Sequence, residues 1–577
     1  MTNNNQAIAR PRRPNEGIFA RPPLQALNHM LDIDSAFKQA IADEKRCEPL
    51  YQELTKRTEK LAQKHFKISF SWRVRVGGNL GFYERLFPAF HPVYGIPYVP
   101  ASSLRGLVRS WAQQHHPNEV KRLFGSLDEG LGRVQFLDAF PTQPCLSQDV
   151  VTPQWHWDQE RLRFQPSPHK NLSLEEPEFC IGLLATQRGN KQDVDLVCKW
   201  LRQALQQGLG SRVSAGYGRP KPQDQQKSES QLVSKMSFEL WTGGLYGADP
   251  PTKENNYQGT VELRPTAIRG VLRYWFRAIA LAIYPPLQVK RLEANLFGGI
   301  EVNTGGNQPH AVRGSIDLWL EDEVYDVIGK RPHLYIYEGK ICLGVRRQAD
   351  QDHLKLATNL LQLASHLGGI GRGSRRPLHW NNPPGWRGCY WELTEKRKLH
   401  CLRKCWKGLL RSIRNALLAI ETPEAPPHNL SPGQPGERRQ DVLDSSSRIF
   451  LVPCRELRHP EDVDDWKSSD RNQQETLRGE ALNLLYEPEF KGASPQSDGG
   501  NPHVGGEVSE QENLGTPSYV TVASNFLPNG EDYQGYQAVV VFGATRHRDR
   551  DTFCQRLCKI PNVKKISLNF LQEEGQT

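Results

Sequence analysis

A chain of 577 residues is too long for one hydrophobic core and has room for about three domains. Lys plus Arg number 74 against 64 Asp plus Glu, a formal charge of +10 that points to an anionic partner. The longest apolar stretch, near Ala278 to Tyr284, is far too short to span a bilayer; the N-terminus lacks the apolar run of a signal peptide, and eleven cysteines lie scattered without a disulfide framework, so no membrane and a reducing cytoplasm are expected.

In chain order, residues 1 to about 24 read as disordered and Leu27 to His65 as helix, with Leu31, Ile33, Phe37, Ile41, Leu50, Leu54 and Leu61 roughly at helical spacing. Alternation then predicts one strand in which Phe66, Ile68, Phe70, Trp72, Val74 and Val76 are apolar and Arg73 and Arg75 lie on the open face. Leu104, Leu107, Val108 and Trp111 form the apolar stripe of a helix whose other face carries Arg105 and Arg109, one turn apart; Ser102 or Ser103 is its N-cap candidate. The same elements recur 164 residues later. Ile268, Val271, Leu272 and Trp275 make the stripe, Arg269, Arg273 and Arg277 the basic face, and Thr266 after Arg264-Pro265 the N-cap candidate. Each copy has a glycine in the first turns (Gly106, Gly270), which lets a ligand or a backbone come close. Each is followed by Leu-Phe-Gly (Leu123 to Gly125, Leu296 to Gly298) and later by a glycine-rich loop. The first loop holds Gly208, Gly210, Arg212, Gly216 and Gly218; the second holds Gly369, Gly371, Arg372, Gly373, Arg375 and Arg376. Three elements in the same order, twice, make a repeated domain. A helix start with flanking arginines, and a loop of free N–H groups, both suit phosphate. A solvated amphipathic helix is the plainer reading of either copy alone, and the duplication shifts the balance toward anion binding.

The chain therefore divides into an extension (1–65), a first module (66–220), a linker (221–235), a second module (236–400) and a C-terminal part (401–577). Between Arg372 and Arg414 there are twelve basic and two acidic residues, equal to the whole net charge, interleaved with Trp386, Tyr390, Trp391 and Trp406. Cations for phosphates and rings for bases suit nucleic acid. Beyond come a basic helix from Leu402 to Ile420, a Pro-rich loop, a strand at Ile449 to Val452, a Gly/Pro-rich insertion from Gly492 to Pro517, a strand at Gln537 to Phe542 and a helix near Thr552 to Lys559, compatible with a further ferredoxin-like domain.

The run Ile96-Pro97-Tyr98-Val99-Pro100 to Arg105-Gly106, with Leu-Phe-Gly and the late glycine loop, resembles the RAMP superfamily of CRISPR-associated proteins. The first copy, with Phe136-Leu137-Asp138-Ala139 and Gly210 to Gly218, is similar to the sixth subunit of the Cmr series; the second, with Arg273 to Arg277 and Gly369 to Arg372, is similar to the first subunit. Ser374-Arg375-Arg376-Pro377 departs from the family's glycine-rich ending. The resemblance implies an α+β fold of tandem ferredoxin-like, RNA-recognition-type domains and a natural fusion of two neighbouring subunits of a type III-B effector. It also implies crRNA, target RNA and other Cmr-type subunits as partners, with RNA contacts at the arginines named above, at Ser103 and at the glycine loops.

No catalytic residue is expected. The loop after the first strand holds Glu84 but no aspartate; the corresponding loop of the second module holds Asp249 before Pro250-Pro251, ordinary turn chemistry. An endoribonuclease of the same superfamily and an RNA-binding protein outside CRISPR are the alternatives. His115 and His116, which a metal-free cleavage would need, sit where they cap a helix end. No cofactor is expected, since neither glycine loop has a Walker lysine or a strand-then-helix fingerprint, and no metal, since Cys401/Cys405 and Cys554/Cys558 lack a second pair.

Overall fold

The computed structural model describes every residue except 1–20, 28–31, 78–86, 129, 153–154, 159–162, 167, 222–231, 254, 302–309, 329–332, 346–350, 372, 382–384, 395–397, 428–439, 463–477, 492–500, 507–515, 530–531 and 573–577. Glu84, Arg372 and most of the expected disordered start and linker thus lie outside the described residues. The chain divides into two compact units: one of residues 1–149, 170–213 and 217–226, the other of residues 150–169, 214–216 and 227–577. The fold is α+β, with antiparallel sheets and helices throughout.

In the first unit the expected long N-terminal helix is broken. Helices Ile33–Lys45 and Glu48–Leu61 are separate, because Pro49 in the first turn of the second cannot donate the bond that would continue the first. A sheet follows in which Lys64–Ser69 pairs antiparallel with Glu178–Ala185, which also pairs with Val134–Phe136 and Phe140–Pro141. Phe70 bridges to Pro220, so the segment after the glycine loop stands where a fourth strand would. Helices Ala101–His115 and Lys191–Gln206 supply Leu104, Val108, Trp111, Val197 and Leu201 to the core, with Phe66, Ile68 and Ile181 from the sheet.

The expected strand from Phe66 to Val76 is also two pieces. After Ser69 the chain bends, and Arg73–Val74 joins a second sheet beside His169–Glu175. Parity is lost at the bend, and this corrects the expectation for Arg73 and Arg75: both are buried, at 3% and 6% exposure.

The second unit contains the same topology twice. Leu232–Thr242, Ile316–Ile328, Leu334–Val345 and Cys389–Leu393 are the first to fourth strands of a sheet with spatial order 2-3-1-4, crossed by helices Pro265–Ala280 and Gln351–Leu367. Arg448–Cys454, Val520–Asn529, Asp532–Val541 and Lys564–Ser567 repeat that order with helices Gly479–Leu485 and Arg548–Cys558. Both are the βαββαβ plan of a ferredoxin-like domain. Trp241 and Tyr390 of one sheet and Phe450, Val452, Val522 and Val539 of the other share one apolar cluster.

Across the first of these sheets Glu338, Glu239 and Glu392 stand directly abreast on neighbouring strands. Like charges opposed in a sheet destabilise it. Lys398 pairs with Glu392 at 2.7 Å, whereas Glu239, which accepts from the Trp241 indole, is pushed up to about 7, first by burial and then by Glu461, Glu392 and Glu338. A carboxyl raised in the folded state favours folding below its unfolded value and loses that contribution as pH rises through about 7. Glu239→Gln should therefore melt close to wild type at pH 5 and roughly 2–4 °C higher at pH 8, as read by scanning calorimetry.

Candidate nucleic-acid interface

The two arginine helices start differently from expectation. Helix Ala101–His115 has Pro100 at its N-cap and no cap from Ser102 or Ser103; the Asp138 carboxylate accepts from the Ala101 N–H at 2.7 Å. That carboxylate already occupies the end a phosphate would use. Helix Pro265–Ala280 is preceded by Arg264, whose guanidinium lies buried against Glu262 at 2.9 Å, and Thr266 is not its N-cap. Ser103 is half-buried in the first turn.

Why arginine recurs before the repeated glycine is visible in what it holds. Helices Pro117–Phe124 and Pro286–Phe297 each end at the glycine of Leu-Phe-Gly, with Gly125 at φ 76° and Gly298 at φ 74°. Arg105 donates to the Phe124 carbonyl and Arg269 to the Phe297 carbonyl. A cation at a helix C-terminus satisfies a carbonyl left without an intrahelical donor and opposes the negative end of the dipole. The same bond is made in both copies. Burial, with Arg273 beside it, pushes Arg269 down to about 10.

The next arginine separates the copies. In the second, Arg273 Nε and Arg277 Nη2 each lie 2.5 Å from Glu293 Oε1, and Arg277 Nε lies 2.6 Å from its Oε2. Burial would raise the Glu293 carboxyl, but the two guanidinium groups prevail and hold it below the usual range. Aligned on Leu-Phe-Gly, the first copy has Val120 in place of Glu293 and Gln113 in place of Arg277. Val120 is buried in the core. Arg109 is exposed and, among the described residues, has no polar partner. Beside it, a Cβ on Gly106 would meet nothing within 4 Å, and the same holds for Gly270.

Other predicted arginines are held inside. Arg73 lies 2.9 Å from Ser173 Oγ and 4.0 Å from the Asp149 carboxylate, and burial pushes Arg75 down to about 10. Arg375 pairs with Asp441 at 2.6 Å, which outweighs burial and raises its pKa; Arg376, also buried, donates to the Val520 carbonyl at 2.7 Å. In the first glycine loop a Cβ at Gly210 would strike the Arg75 carbonyl, and at Gly371 of the second it would strike Leu245; both backbones have positive φ. The loops are thus glycine-rich for close packing, at Gly208, Gly216, Gly218, Gly369 and Gly373 as well. Arg212 differs: it is non-glycine at φ 59°, half-exposed, with its guanidinium 5.8 Å from the Tyr217 ring centre.

Sequence reasoning named the stretch Arg372 to Arg414 but not which side chains in it face outward. On helix Arg403–Ile420, Trp406, Leu410, Ile413 and Leu417 are buried, while Arg403, Lys404 and Arg411 are exposed. Lys407 and Arg411 lie 5.8 and 5.4 Å from the Phe570 ring centre, and the helix has no acidic residue. The helical period of 3.6 applied to that segment would have found this face. Asp249 accepts from the Thr260 N–H and hydroxyl at 3.2 and 2.9 Å, which is turn chemistry. His115 stacks on Trp111 and His116 on Trp200. Among the described residues no three His, Cys, Asp or Glu side chains form a group able to hold a metal, and no helix is long and apolar enough to cross a membrane.

A model described as the RAMP superfamily matches residues 73–221 and 239–376. The CMR subunit Cmr6 of the CRISPR system of Saccharolobus solfataricus is 29% identical over 160 residues, 26% of this chain and 55% of the relative; the chain spans about half the length of the curated relative it matches. Two solved structures are similar at low scores. One, the type III-B Cmr-beta complex bound to cognate target RNA, gives a TM-score of 0.26 at 21% identity, covering 36% of this chain and 82% of that one. The other, Cmr6 from Pyrococcus furiosus, gives 0.19 at 19% identity, covering 27% and 95%.

The Arg273–Glu293–Arg277 group yields a stability prediction. Glu293→Gln leaves two guanidinium groups without their counter-charge and should cost about 3–5 kcal/mol, read from the urea midpoint. Val120→Ala in the first copy removes only apolar volume and should behave as an ordinary cavity, about 1–3 kcal/mol, with no dependence on salt.

Proposed function

The chain belongs to the RAMP superfamily through both matched segments, and from that premise we propose that it is a non-catalytic RNA-binding subunit of a type III-B, Cmr-type CRISPR effector. It works in the cytoplasm beside other Cmr-type subunits and holds the crRNA near its 3′ end together with the paired target. The observation that carries this reading is Arg109 standing uncompensated beside Gly106, at a helix position where the other copy neutralises its arginine with Glu293. A mid-helix glycine weakens the helix by roughly 0.5–1 kcal/mol relative to Ala. Nothing inside the protein requires it, so the open space beside it suits an approaching sugar-phosphate backbone. Arg212 and the basic face of helix Arg403–Ile420 supply further cations, and such contacts read the backbone rather than the bases.

Filter binding of a single-stranded RNA over a salt series tests the assignment. Arg109→Ala should weaken binding about equally across sequences and lower the salt slope by roughly 0.7, whereas Arg273→Ala should lower stability and leave the slope alone. Gly106→Ala should move the two properties in opposite directions, raising the melting temperature while weakening RNA binding; a variant that binds as well as wild type would remove this helix from the interface. The purified chain should also leave target RNA intact in Mg²⁺ or Mn²⁺, and cleavage abolished by Asp249→Ala would establish the endoribonuclease alternative instead.

A further inference from the structure

The second unit contains a group of cations that neither the repeated motif nor the RAMP match explains. Its centre is Tyr486. The Arg478 guanidinium lies 5.5 Å and the Lys491 ammonium 5.4 Å from the ring centre, and the Tyr486 hydroxyl is 3.0 Å from His379 Nε2. His379 is fully buried, with Nδ1 2.8 Å from the Pro377 carbonyl. Arg376, also more than nine-tenths buried, donates to backbone carbonyls of Arg375, Val520 and Gly505 at 2.9, 2.7 and 3.3 Å, while its Nε has no hydrogen-bond partner among the described residues.

Carboxylates that could balance these charges are turned elsewhere. Glu487 and Glu489, close in sequence to Lys491, pair with Arg556 at 2.7 and 3.3 Å. Among the described residues Lys491, Arg376 and Arg387 have no acidic partner within 4.0 Å. Burial, followed by the fields of Arg376 and Arg387, pushes Lys491 down to about 7. Like charges gathered out of water destabilise a fold unless an anion joins them. Planar guanidinium forks with one ammonium match the oxygens of a phosphate group.

We propose that Arg376, Arg387, Arg478 and Lys491, gathered around Tyr486, bind a phosphate group, and that its source is the RNA backbone. The inference rests on the RNA-binding reading above and adds a contact in the C-terminal part of the chain. It also carries a signature of its own. The anion favours charged Lys491, so binding takes up a proton near neutrality and is tighter below pH 7 than above it. The other groups facing Lys491 do not titrate there: His379, pushed down to about 3 by burial, stays neutral, and the arginines stay charged.

The test is anisotropy of a labelled single-stranded RNA with the full chain at pH 6 and pH 8, alongside thermal shift in inorganic phosphate. Wild type should bind roughly tenfold more weakly at pH 8 than at pH 6. Lys491→Met should bind more weakly at pH 6 and lose that step, whereas Lys491→Arg, charged at both values, should keep the pH 6 affinity and also lose the step. Lys491 variants with wild-type affinity and an unchanged step would overturn the inference while Arg109→Ala still reports on the general RNA-binding reading. RNA binding indifferent to Lys491, with a phosphate-induced stabilisation that Lys491→Met abolishes, would overturn the RNA assignment in favour of free phosphate. Failure of wild type to bind RNA at all would overturn both readings.

Discussion

The corner between the arginine helix and the Leu-Phe-Gly helix depends on one bond, from a guanidinium to the last carbonyl of the neighbouring helix. Arg105 makes it to Phe124 and Arg269 to Phe297. Glycine at φ near 75° ends each helix, exposes that carbonyl and turns the chain back toward the sheet. Arginine before the repeated glycine and Leu-Phe-Gly later in each copy are therefore two halves of one contact. Two elements of the repeat, nearly 20 residues apart in one copy and nearly 30 in the other, form a single structural device.

Once that arginine is committed to the corner, the residue one turn later is left to set the character of the surface. The two copies use it differently, and the choice turns on the facing helix. Glu293 draws Arg273 and Arg277 into a buried ion group, which makes the second helix a structural strut. Val120 gives the first copy a wholly apolar contact there and leaves Arg109 in water. The buried group contributes mainly to fixing one arrangement of the helices, because pairing in a low-dielectric site largely offsets the desolvation of three charges.

Much of this was legible in the sequence. The stripe Ile268, Leu272, Trp275 has the helical period, and it buries as expected in helix Pro265–Ala280. The alternation Phe66 to Val76 was read correctly as extended but wrongly as one strand, since period-2 patterning carries no record of the bend after Ser69 that moves Arg73 into another sheet. The long N-terminal helix failed at Pro49 for a reason the sequence did contain. Exposure of individual arginines was the least legible property. A basic residue opposite an apolar stripe looks solvated until a carboxylate distant in sequence arrives, as Glu293 does for Arg273 and Asp441 does for Arg375. Asp138, which caps the first arginine helix from 37 residues away, is of the same kind.

Unsatisfied charge is consequently more informative about function here than charge itself. Most of the basic residues in the repeated motif have acceptors that belong to the fold, so a tally of arginines overstates the interface. Arg109 has no carboxylate where its counterpart has one, Arg212 holds a left-handed backbone and a half-exposed guanidinium, and Lys491 sits among other cations without an acid. Each arrangement costs stability in the isolated protein: desolvation for Lys491, backbone strain for Arg212, and a helix glycine beside Arg109. A polyanion would offset these costs on binding, because its phosphates supply the missing acceptors and release counterions as they do so. The positions at which this fold tolerates uncompensated charge are thus the positions from which a path for RNA can be traced.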